Sequence, residues 1–184
     1  MTQATATAGL VLAAGAGRRY GGPKAPVVVD GERLVDRSVR TLREAGCDPV
    51  VVVLGAWRGD VPAADVVDND GWEEGLGSSL RVGLEALEAS PAQRVLVTLV
   101  DLPGLTVAAV ERVAAVDAGL VAATYDGRRG HPVLISRAHW AGVRAGARGD
   151  RGARDYLDAH RDELLLVEVG DVADDEDLDV PTPG

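Results

Sequence analysis

The chain has 184 residues, 46% hydrophobic and 26% charged, which is the composition of one globular domain with enough apolar material for a sizeable core. No apolar run approaches the ~20 residues of a membrane span. Met1 to Thr7 carry no positive charge ahead of the apolar stretch, so no secretory leader is expected. The lone cysteine, Cys47, excludes an intrachain disulfide and a cysteine-based metal cage, so the reading is a soluble cytoplasmic protein with one domain over residues 1–184.

Charge adds a further exclusion. The 29 acids outnumber 19 bases to give −10, yet seven acids and no base lie from Glu168 onward. The body is therefore nearly balanced, and no basic excess exists to meet nucleic acid. Among the 19 bases Lys24 is the one lysine: either a chance survivor in an arginine-rich composition, or a place where a compact ammonium serves and a planar guanidinium would not.

In chain order, Ala8 to Ala14 is a short apolar run ending at glycines, the pattern of a buried parallel strand. Leu34, Val35, Val39, Leu42 and Ala45 recur at helical spacing before Gly46. Pro49–Gly55 reads as a second buried strand, and Leu76, Leu80, Leu84 and Leu87 place one apolar face on a helix. Arg94–Val100 is a third core strand running into Asp101-Leu102-Pro103, followed by a helix carrying Val107, Val110 and Val113. Leu120–Thr124 and Pro132–Ile135 read as strands around the turn-rich Tyr125–Gly130, and Leu164–Val169 as a last strand. The alternation predicts a three-layer α/β fold, a mostly parallel sheet with helices on both faces. Ligands of such sheets sit at the carboxyl ends of strands, which selects the loops after Ala14, Leu54 and Val100.

The first of these loops reads Leu12-Ala13-Ala14-Gly15-Ala16-Gly17-Arg18-Arg19-Tyr20-Gly21-Gly22-Pro23-Lys24. Its glycines let backbone N–H groups approach an anion, and its three cations suit a polyphosphate. A Walker loop is excluded because Pro23 interrupts the motif and Ala25 offers no hydroxyl for a metal. A dinucleotide fingerprint fits poorly, since the third glycine falls late and Pro23 and Pro26 discourage a following helix.

The stretch resembles the LAAGxGxRxGxPK signature of the MobA-like nucleotidyltransferases, with Gly15, Gly17, Arg19, Gly21, Pro23 and Lys24 in register. The resemblance continues in order through Asn69–Arg81, Asp101-Leu102-Pro103, Gly130-His131-Pro132-Val133-Leu134, Gly149–Arg154 and Asp177–Pro181. The Ala-Ala-Gly opening, the Pro-Lys ending and the G-H-P segment are more similar to the cytidylyl-transferring branch than to the guanylyl one. Two positions depart from the pattern. Val180 stands where threonine is usual, with no acid after Pro181, and Leu102 stands where that branch often has glutamine.

The resemblance implies a Rossmann-like fold and a transfer of CMP from CTP to molybdopterin with release of pyrophosphate, dependent on Mg2+. It also implies transient contact with a molybdoenzyme or its chaperone. Leu12, Ala13, Ala14, Gly15, Ala16 and Gly17 would cradle the nucleotide, with Arg19 on the outer phosphates and Lys24 against the α-phosphate. Asp101 is the implied metal ligand and Asp179 its partner if the tail folds back. Asn69 and Ser79 are expected at the nucleotide, and His131 and Pro132 at the acceptor.

Alternatives stand beside several of these. Asp101 also suits a helix N-cap ahead of Thr106, Asp179 a solvated tail, and Trp72 a packing residue more readily than a base platform. His131 reads equally as an acceptor contact or a turn cap, His139 and His160 as surface residues, and Cys47 as a small buried filler. A sugar or polyol phosphate could replace molybdopterin as acceptor. A relative that binds nucleotide or cofactor without transfer, or one that uses the loop for redox chemistry, is also compatible.

Overall fold

A computed structural model of the chain describes residues 6–179; the closing positions from Val180 lie outside the described residues, as do the first five. The elements run β1 (Thr7–Ala13), β2 (Val28–Val29), β3 (Glu32–Arg33), α1 (Leu34–Glu44), β4 (Val50–Leu54), β5 (Asp65–Asp68) and α2 (Leu76–Leu87). They continue β6 (Arg94–Leu99), α3 (Val107–Ala114), β7 (Leu120–Tyr125), β8 (Arg128–Ser136), α4 (Arg137–Gly146), α5 (Arg154–Ala159) and β9 (Leu164–Glu168).

Seven strands form one sheet in the order β5-β4-β1-β6-β8-β7-β9, with β8 alone antiparallel to its neighbours. The predicted mostly parallel sheet is therefore observed. The apolar runs are central strands because both faces are covered: β4 is buried at every residue. Val11, Val52, Leu96 and Val121 face a core shared with α1 and α3, while Leu10, Val53, Val95 and Ile135 face one built with α2, α4 and α5. Alternation along each strand assigns neighbouring residues to opposite cores.

Several boundaries differ from the sequence expectation. Only Asp126-Gly127 turns within Tyr125–Gly130, with φ of 50° and 78°, and β8 begins at Arg128. Asp30-Gly31 repeats this geometry, with φ of 51° and 81°, in the small β2–β3 ribbon. β5, α4 and α5 were not anticipated from the sequence.

The segment after β1 is fixed to the rest of the fold by backbone bonds. The first amides of α1 find carbonyls there rather than a side-chain cap: Leu34 N donates to Val27 O at 2.8 Å and Val35 N to Ala25 O at 3.2 Å. At α3 the cap is Thr106, whose hydroxyl accepts from Ala109 N at 3.2 Å and donates to Val172 O at 3.0 Å. Asp101 is thus not the cap, and the threonine joins the helix to the acidic tail.

Candidate active site

The carboxyl ends of β1 and β6 lie side by side, with Leu12 paired to Leu99 and Val100 N donating to Leu12 O at 3.1 Å. Beyond this point the two chains diverge into loops, and the gap between them is a cavity of about 400 Å³. Its walls include every residue from Leu12 to Gly17, with Lys24, Ser79 and Asp101.

The glycine loop closes on itself. Gly17 has φ +57°, and its carbonyl accepts from Gly21 N at 2.8 Å and Gly22 N at 3.1 Å. A Cβ on Gly17 would lie 1.9 Å from the Gly22 carbonyl oxygen, so the return of the chain requires glycine there. This fold-back brings Lys24 toward β6. Its ammonium lies 2.9 Å from Asp101 Oδ2 and 3.6 Å from Asp179 Oδ1.

Asp179 reaches this point because the tail packs back over the sheet end. Val172, Ala173 and Leu178 rest against the core, and Leu178 N donates to Asp101 O at 3.0 Å. The acids from Glu168 onward therefore do not all form a solvated appendage.

A second cavity of about 410 Å³ shares Leu12, Leu99 and Asp101 with the first. Its buried lining carries Val97, Val133 and Leu157, and its more exposed lining carries Arg129, Arg151 and Arg154 with Asp175 and Asp177. His131 faces this space, and burial lowers its pKa to about 4; Asp101 opposes that shift and Arg154 adds to it. The backbone of His131 is held by Tyr125, whose hydroxyl donates to His131 O at 2.6 Å. Burial, with Asp175, Asp174 and Glu168 nearby, pushes that phenol up to about 12.

Not every expected residue joins the site. Arg19 lies exposed outside the first cavity, and its neighbour Arg18 takes the place on the wall. Asn69 is turned inward: its amide donates to Ser78 Oγ at 2.8 Å and Ser79 Oγ at 3.0 Å, and its Oδ1 accepts from Gly71 N. That network fixes the start of α2, a bracing position rather than one on the cavity wall. Pro132 is buried in β8, outside the lining of either cavity. The loop after Leu54 supports the site from behind, with Ala56 N donating to Ala14 O at 3.0 Å.

Trp72 combines both readings, lining the first cavity while packing against Gly55 and the core. Asp150 lies on both cavity walls; the quoted G-D-x-G-A-R segment contained it, but its spacing alone assigned no role. His139 and His160 are half-buried rather than surface residues. They flank Tyr156, with His139 Nδ1 2.9 Å from the phenol and the His160 ring stacked at 4.0 Å. Cys47 is buried, and desolvation pushes its thiol up to about 12.

Asp101 and Asp179 are hard oxygen donors already gathered around one positive charge. Among the described residues no group of three or more His, Cys, Asp or Glu could hold a metal. Two carboxylates with the rest of the shell left to water and phosphate suit Mg2+ or Mn2+. Among the described residues no helix is long and apolar enough to cross a membrane.

A glycine-rich loop at the end of the first strand, a cation beside two carboxylates and two adjoining cavities on a mostly parallel sheet are the features of the Rossmann-like nucleotidyltransferase fold. Residues 9–164 match the MobA-like NTP transferase domain, and the chain belongs to that family. It is 37% identical to nicotine blue oxidoreductase of Paenarthrobacter nicotinovorans over 93% of this chain and 91% of that protein. It is 41% identical to a probable molybdenum cofactor guanylyltransferase of Opitutus terrae over 57% of this chain and 52% of that one. Among solved structures, Rv0371c of Mycobacterium tuberculosis H37Rv superposes with a TM-score of 0.82 at 28% identity, covering 97% of this chain and 95% of that chain. A structure of Rv0371c in complex with manganese superposes at 0.73, with 26% identity and coverage of 91% and 89%.

Proposed function

We propose that the protein transfers CMP from CTP to the terminal phosphate of molybdopterin, releasing pyrophosphate. The observation that carries the transfer reading is the Lys24–Asp101 pair at the junction of two cavities, one for each reactant. An acceptor phosphate is already ionised at neutral pH, so the attacking oxygen needs no strong base. The bond from that oxygen to the α-phosphorus forms as the bond to the bridging oxygen breaks, and the electron pair leaves with pyrophosphate. Positioning and electrostatics dominate such a step.

Each residue then has a task. The loop amides from Gly15 to Gly17 bind the outer phosphates, and Arg18, on the cavity wall, joins or replaces Arg19 there. Lys24 leaves its carboxylates to meet the charge that gathers at the α-phosphoryl group. Ser79 and Trp72 confine the nucleoside. Asp101 and Asp179 would hold Mg2+ or Mn2+, which supplies positive charge to the phosphates; the manganese in the mycobacterial structure supports that choice. The apolar lining of the cavity that His131 faces favours a flat ring system over a polyhydroxylated sugar phosphate, and a neutral imidazole at pH 7 can donate or accept one hydrogen bond there.

The experiment is a pyrophosphate-release screen of CTP, GTP, UTP and ATP with Mg2+ or Mn2+, using molybdopterin and sugar phosphates as acceptors. Release with CTP and molybdopterin is expected. The guanylyltransferase relative makes GTP the first competitor, and release with GTP alone would move the assignment to that donor. A second reading comes from the oxidoreductase relative, which aligns over nearly the whole chain. Decolourisation of nicotine blue at the expense of a reduced nicotinamide or flavin, without pyrophosphate release, would establish that reading instead.

A further inference from the structure

Arg37, on α1, touches neither cavity, yet it joins the segments that carry the two charged groups of the site. Its Nη2 donates to Val29 O at 3.1 Å and its Nη1 to Pro103 O at 3.3 Å. Val29 lies in the ribbon that follows Lys24, and Pro103 lies two residues beyond Asp101. The side chain is only 19% exposed, and Glu32 and Asp30 each lie 3.5 Å from it. Its buried Nε is the atom that faces Glu32 Oε2, at 3.5 Å. A cation tied at once to two acids and to carbonyls on two different segments orders more than its own turn of helix.

We infer that Arg37 is a positioning residue: its guanidinium pins the Lys24 and Asp101 loops to one another from behind and so fixes the ammonium–carboxylate contact. The Lys24 end of this span is also held by backbone bonds, Val27 N to Lys24 O at 3.0 Å and, from α1, Val35 N to Ala25 O at 3.2 Å. The Asp101 end is held by the tail, through the Leu178 amide. Arg37 links the two anchors directly. A planar fork can serve two carbonyls on different segments at once; an ammonium is a single point and cannot span them in the same way.

The activity readout rests on the transfer reading proposed above, whereas the structural readout does not. The test compares R37A and R37K with the wild-type protein by crystallography, thermal unfolding and pyrophosphate release from CTP. Expected is an R37A protein that folds, with Lys24 Nζ drawn beyond about 4 Å from Asp101, outside ion-pair contact. Turnover should fall ~10- to 100-fold, the scale of a small misplacement of catalytic groups, while KM for CTP changes little. Guanidinium ion at tens of millimolar should restore turnover to R37A but not to K24A. An unchanged 2.9 Å contact in R37A would overturn the inference, as would full turnover in R37K. If R37A does not fold, the R37K structure decides by the same distance. If the wild-type protein releases no pyrophosphate, the proposed function fails, and the distance in the variants still decides the role of Arg37.

Discussion

Lys24 and Asp101 lie 77 positions apart in sequence, yet their charged atoms are 2.9 Å apart. Two features place them so. Neighbouring parallel strands end at the same level, and the loop between Gly17 and Gly22 turns the chain back over those ends. The contact links the sequence's only lysine to the carboxylate that ends a central strand, and both face the first cavity.

Substituting Lys24 tests the chemistry most directly. K24A removes a preorganised charge, and turnover should fall at least ~100-fold, since one such contact is worth roughly 3 kcal/mol in the transition state. The fold should survive, because the pair sits at the rim of a cavity rather than inside either core. Steady-state pyrophosphate release together with a thermal melt measures both. Wild-type turnover in a folded K24A protein would remove the lysine from the mechanism.

The two carboxylates differ in exposure, and their variants should differ accordingly. Asp101 is 21% exposed and Asp179 is 47% exposed. D101N should weaken Mn2+ binding by at least ~10-fold, the lower end of what perturbing a metal site costs. D179N should weaken it less, because water can substitute at an open position. EDTA should abolish turnover and added Mg2+ or Mn2+ should restore it. Equal manganese affinity in all three proteins, measured by electron paramagnetic resonance, would show that these carboxylates do not hold the ion.

Two glycines in the loop offer a controlled comparison. A methyl group at Gly17 would collide with the Gly22 carbonyl, a backbone atom that cannot move without opening the loop, and φ is already +57°. At Gly15 nothing lies within 4 Å of the added carbon. G17A should therefore lose nucleotide affinity by an order of magnitude or more, with a stability loss of about 1–3 kcal/mol from the strained position. G15A should melt like wild type. Calorimetric titration with CTP separates the two, and equal affinities would mean that the fold-back is not needed for binding.

What the sequence disclosed follows from where each residue sits. The central strands are buried on two faces, so Val50–Leu54 and Val95–Val97 are nearly uninterrupted apolar runs. β5 is an edge strand whose pair of valines lies between aspartates, which leaves no such run. α4 hides its face, Trp140 and Val143, among glycines, alanines and charged residues. The Asp126-Gly127 turn lay within a longer turn-rich stretch, and Asp30-Gly31, the same hairpin dipeptide, went unread because the two-residue strands it joins carry no apolar alternation. Within the site, the glycine loop, Lys24 and Asp101 stood out because strand ends and charge select them. The choice between Arg18 and Arg19, and the inward turn of Asn69, depend on side-chain direction, which spacing does not encode.

The imidazole of His131 supplies the pH-dependent test. Burial holds its folded pKa near 4, below the ordinary value of 6.5. Between these values the unfolded chain binds a proton that the folded one refuses, so stability from this group falls as pH drops from 6.5 toward 4. Below that window both states are protonated and the group contributes no further change. H131Q should flatten the corresponding stretch of the stability–pH curve. Replacing Asp101 by Asn should lower the His131 midpoint further, because the carboxylate opposes the effect of burial. Ring carbon and proton shifts of labelled histidine, followed from pH 3 to 8, report the midpoint directly. A midpoint near 6.5 would place the ring in water and leave the second cavity without a neutral imidazole on its wall.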